Sequence, residues 1–98
     1  MRYQRVIIER LEQGLKPIDP VMAATLVQQF SAPAPDLATF CPQAVSFYRN
    51  QLEQRGVSTA DLVFPAPAEN SEAIAFWIED LEATVLPQLR IAAAMKVA

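Results

Sequence analysis

The side chains able to carry chemistry in this chain are few, and their types narrow the choice quickly. None of the 98 residues is histidine. That removes the group that most readily moves protons near neutral pH, and with it the commonest metal ligand. No Ser-His or Cys-His nucleophile can form within the chain. Gly14 and Gly56 are its two glycines, too few for a glycine-rich phosphate or dinucleotide loop. Cys41 is the single cysteine, so there is neither an internal disulfide nor a Cys/His zinc set. At a helix N-terminus its thiolate would be favoured by the helix dipole. No base or cation neighbours it in sequence, however, and Phe40 and Pro42 flank it. A buried, inert thiol is the expectation.

The densest chemistry is acidic. Glu72, Glu79, Asp80 and Glu82 crowd one stretch, and Glu79 and Glu82, three apart, share a helix flank. Acid–base work would require a desolvated pocket to raise one of their pKa values. Calcium would require a loop of converging oxygens that the chain lacks. A solvated or partner-facing patch is the simpler reading. The chain is therefore expected to be no enzyme and to hold no cofactor or metal.

The basic side chains gather at the other end. Residues 1–16 hold four cations against two acids, and the remainder four against nine, for a net charge of −3. Such a dipole can orient a partner during encounter. Arg2, Arg5 and Arg10 with Tyr3 offer phosphate and stacking contacts. Against this, Tyr3, Ile7 and Leu11 form a packing stripe, and Glu9 and Glu12 dilute the charge. Direct nucleic-acid binding is disfavoured. Pro17-Ile18-Asp19-Pro20 matches P-x-x-P, but its neighbours make it a helix start.

The aromatic pair Phe76–Trp77 is the best candidate for recognition, because tryptophan is enriched among interface anchors. Adjacent helical residues diverge by about 100°, so one of the two faces the core and the other a groove or partner.

Helices must position these groups. A first helix over 2–13 carries the Tyr3, Ile7, Leu11 stripe, with Gly14 at the left-handed position after its end and Pro17 blocking continuation. Asp19 caps a second helix near 20–30, with Pro20 at its first position. Alternating prolines at Ser31–Pro35 favour an extended corner. Asp36 to Phe40 makes one short turn. A third helix begins around Pro42, with Cys41 near its cap, and ends at Gly56, with Val57 closing it. Ser58 to Asp61 resembles a capping box starting a short turn or helix, and Pro65-Ala66-Pro67 forms a second corner. Asn70 or Ser71 caps the last helix, whose stripe is Ile74, Trp77, Ile78, Leu81 and Val85. Pro87 kinks or ends it.

Together these features predict an all-α fold, a compact bundle of about four helices with proline-rich corners and a proline-kinked C-terminal helix. Residues 1–98 form one domain, with 88–98 a docking tail. The chain is 52% hydrophobic and 19% charged, an apolar excess that suits a partner surface. No secretory signal or membrane-length run is present, so a reduced cytoplasmic setting is expected. The expected function is non-catalytic binding to a larger protein, as adaptor, accessory subunit, assembly factor or inhibitor. Phe76, Trp77, Leu89, Ile91 and Met95 would make contact, and Glu79, Asp80 and Glu82 would steer. The alternatives are a nucleic-acid-associated regulator using Arg2, Arg5 and Arg10, and a structural homodimer.

Overall fold

The computed structural model describes residues 1–96 and contains four α-helices. These are α1 (Gln4–Leu15), α2 (Pro20–Gln29), α3 (Leu37–Gln54) and α4 (Ile74–Lys96), the last entered through a single 3-10 turn at Ser71–Ala73. The all-helical expectation holds, with no strand among the described residues.

α1 runs two residues beyond its expected end. Gly14 is helical and its φ is not positive, so it is not the left-handed cap that the sequence suggested. Leu15 explains the extension. It continues the Ile7–Leu11 stripe at a step of four and is fully buried, and burying a leucine outweighs the roughly 1 kcal/mol cost of a helical glycine. α2 starts as its sequence predicts, with the Asp19 carboxylate accepting from the Met22 amide at 3.0 Å and Pro20 at the first position. Met22, Leu26 and Phe30 turn inward, whereas Val21 and Val27 stay exposed.

The first proline corner is held by Gln4, a buried residue whose amide is satisfied on both sides. Its Nε2 donates to the Phe30 and Ala32 carbonyls at 3.0 and 2.9 Å, and its Oε1 accepts from the Ala34 amide at 2.7 Å. A loop that cannot pair with itself thus borrows its partners from α1.

α3 starts five residues earlier than expected. Asp36 is the cap, its Oδ1 accepting from the Thr39 amide at 2.9 Å, and Thr39's hydroxyl and amide hold this carboxyl below its usual range. Pro42 therefore sits inside the helix and Cys41 is not at a helix N-terminus. Cys41 is fully buried, and burial pushes its thiol pKa up, against a weaker pull from the Ala68 amide. The C-terminus follows the expected pattern. Gly56 takes φ +79°, its amide donates to the Glu53 carbonyl at 3.0 Å, and the Val57 amide reaches the Leu52 carbonyl at 3.0 Å, the paired bonds of a Schellman cap.

The stretch 57–69 holds no helix. Around Thr59 to Asp61 there is one turn, and the Thr59 hydroxyl donates to Glu53 Oε2 at 2.7 Å. Asn70 then caps the final helix, accepting from the Ala73 amide at 3.1 Å. α4 passes through Pro87 and continues to Lys96, so the proline does not end it. Pro42 and Pro87 are tolerated for the same reason. The carbonyls that they deprive of a donor belong to Ala38 and Ala83, both exposed residues that water can reach.

One cluster of buried side chains draws on all four helices. Phe30 meets Phe40 and Phe47 edge-on at 5.4 and 5.9 Å between ring centroids, joining the end of α2 to α3. Arg55 closes the opposite end, its Nε donating to Asp19 Oδ2 at 2.8 Å and its Nη1 to the Gln51 carbonyl at 3.0 Å. The start of α2 is thereby tied to the end of α3. Among the described residues, no helix is long and apolar enough to cross a membrane.

Candidate protein-binding surface

α4 has two faces of different character. Trp77, Ile78, Leu81, Val85, Leu89 and Ala92 follow at helical spacing and are buried. On the other side Phe76, Asp80, Thr84, Pro87, Ile91 and Met95 succeed one another at steps of four or three. Phe76, Ile91 and Met95 are 70%, 56% and 74% exposed.

This division corrects two expected contact residues. Trp77 is 3% exposed and Leu89 2%, so both belong to the core. Trp77 lies against Phe40 of α3, with centroids 6.4 Å apart. Adjacent positions diverge around a helix, so seating Trp77 inside turns Phe76 outward. Residues 88–96 continue α4. Leu89 is buried, and with Ala92 it lines a small cleft whose other wall is Ile18, Asp19 and Pro20; Val97 and Ala98 lie outside the described residues. What remains of the expected docking tail is the outer side of a helix, bearing Ile91 and Met95.

The three acids expected to steer a partner are divided. Glu82 turns toward α1, where a Cβ added at Gly14 would overlap its Oε2. Partial burial there raises its pKa, Arg10 pulls it down, and Glu79 raises it. The buried Tyr48 hydroxyl is pushed far up, first by burial and then by the charge of Glu82. Glu79 stays exposed beside this contact. Asp80 lies on the outer side with Phe76.

Asp80 and Phe76 help to form a groove that the sequence reading missed. The segment after α3 runs back along α4, where the Thr84 hydroxyl donates to the Val63 carbonyl at 3.2 Å and the Asp80 carbonyl at 3.0 Å. Farther along, Pro65–Asn70 faces Ala73, Phe76, Trp77 and Asp80 across a groove of about 380 Å³. Glu69 and Asp80 both line it. Neither takes part in the ion pairs Arg5–Glu9 or Arg55–Asp19, and neither has a cation partner among the described residues. Trp77 Nε1 is buried with no hydrogen-bond acceptor among the described residues.

The N-terminal arginines each meet a local partner. Arg2 stacks over Tyr3 at 5.6 Å, Arg5 reaches Glu9 at 3.3 Å, and Arg10 faces Glu82. A wider hollow of about 640 Å³ between the first proline corner and α3 has amides and prolines on its walls and no titratable side chain. Among the described residues, no three acids or thiols converge as a metal-binding group. Compared with protein-family models, curated proteins and solved structures, the chain shows no match.

Proposed function

We propose that the chain is a small protein-binding module without catalytic activity, which docks on a larger protein through the outer side of α4. The observation that carries this reading is the exposure of Phe76, Ile91 and Met95 along one side of a helix whose other side is buried. Large apolar side chains presented together on one helix face are what a hydrophobic groove on a partner takes up. Asp80 within the same stripe, and Glu79 beside it, set negative charge next to Phe76, which aids encounter and orientation more than affinity.

The test compares the intact chain with an Ile91→Asp/Met95→Asp double variant, each used to capture partners from the native source. Capture of one protein by the wild type and its loss from the variant, with an unchanged thermal melt, is the expected result. Equal capture by both forms, or a chain that binds nothing and sediments as a monomer, defeats the reading. Concentration-dependent sedimentation without another partner would instead identify a homodimer.

A further inference from the structure

The groove between Pro65–Asn70 and the first turns of α4 combines three features that suit one kind of occupant. Its lining is acidic, with the Glu69 and Asp80 carboxylates in no ion pair among the described residues. Phe76, 70% exposed, offers an aromatic face on which a guanidinium or ammonium can rest. Trp77 lines the same groove, and its buried Nε1–H has no acceptor. An unpaired buried donor carries an unrecovered desolvation cost, which an incoming carbonyl would offset.

Building on the protein-binding reading above, we propose that this groove binds an extended, arginine- or lysine-bearing segment of the partner. The cationic side chain lies between Phe76 and the carboxylates of Glu69 and Asp80, and a backbone carbonyl accepts from Trp77 Nε1. An acidic segment would meet like charge. A purely apolar one would withdraw two carboxylates from water without pairing them. A volume of about 380 Å³ suits a few residues of extended chain rather than a helix, whose diameter with side chains is about 10 Å. Nε1 is itself closed to solvent, so the carbonyl reaches it only as the groove widens. Pro65 and Pro67 have no N–H, so at those positions widening breaks no bond donated by the strap.

Trp77 is the chain's single tryptophan, so a 15N-labelled sample has one indole N–H resonance to follow. The probe is an acetylated, amidated hexapeptide of alternating arginine and leucine, with its glutamate-for-arginine counterpart as control. The expected result is a saturable downfield indole shift with the arginine peptide alone, weakening as salt is added. A Glu69→Gln/Asp80→Asn variant should bind that peptide about five- to tenfold more weakly, with an unchanged thermal melt. Three results would each overturn the inference: equal shifts from both peptides, an indole that ignores the arginine peptide, and full affinity in the neutralised variant. If partner capture still depends on Ile91 and Met95 while the indole ignores charge, the docking reading stands and only this inference falls.

Discussion

Gly14 lies one position before the end of α1, facing α4 so closely that a Cβ would overlap Glu82 Oε2. The obstacle is the far end of a flexible side chain, not backbone, so it can move. Gly14→Ala should therefore stabilise the protein by about 0.5–1 kcal/mol, the helix-interior preference for alanine, while the carboxylate swings into water and its pKa drops back toward the ordinary range. Gly56→Ala should do the reverse and cost about 1 kcal/mol, because φ +79° strains any L side chain. Paired denaturant titrations check both; a destabilised Gly14→Ala would mean that Glu82 is locked in place. Glu82 also gives a pH dependence of definite sign. Its folded pKa is raised above 4.5, first by burial, so the folded state takes up a proton more readily than the unfolded chain. Its contribution is fully present below the unfolded pKa and lost as pH rises through the folded one. Glu82→Gln should thus stabilise the protein at neutral pH by less than about 1 kcal/mol, since the group is only partly withdrawn from water, and the gain should shrink on acidification. A gain that grows as the pH falls would contradict this.

At the scale of elements, the Asp19 and Gly56 caps were legible, whereas the Asp36 cap, the helical Gly14 and the two prolines inside helices were not. Asp19-Pro20 and Gly56-Val57 act through bonds to residues within five positions, so their local sequence is sufficient to place them. Pro42 looked like a helix start, and Pro87 like a kink or an end, because local sequence reports only the lost hydrogen bond. It cannot report that Phe40 and Cys41 before one, and Leu89 and Ala92 after the other, are buried, and that burial carries the helix through. The groove beside α4 was illegible for a related reason: Glu69 and Asp80 are brought together by the path of 57–69, not by spacing. The inner and outer residues after Pro87 can be told apart directly. Leu89→Ala should cost about 2–4 kcal/mol by opening a cavity, whereas Ile91→Ala should stay within about 0.5 kcal/mol. Equal losses in urea titrations would mean that the outer face is also packed.

At the scale of the whole molecule, a radius of gyration of 13.1 Å matches the value of about 13 Å expected for a compact chain of about 100 residues. No helix stands away from the rest, and this bears on how the docking surface can be separated from the fold. Had 88–98 been an independent arm, removing everything after Leu86 would abolish partner binding and leave folding intact. Instead Leu89 is buried in the core, and with Ala92 it lines a cleft beside Ile18, Asp19 and Pro20. A protein of this size is stable by only about 5–10 kcal/mol. Losing one buried leucine already removes about 2–5 kcal/mol of that, before the other side chains of the last turns of α4 are counted. Truncation after Leu86 should therefore lower the thermal midpoint by well over 10 °C, since about 1 kcal/mol shifts it by 4–8 °C in a domain of this length, or prevent folding. The exposed double variant Ile91→Asp/Met95→Asp should melt like the wild type. A truncated chain that retained the wild-type melt would restore the separable arm and show that Leu89 contributes little to the core.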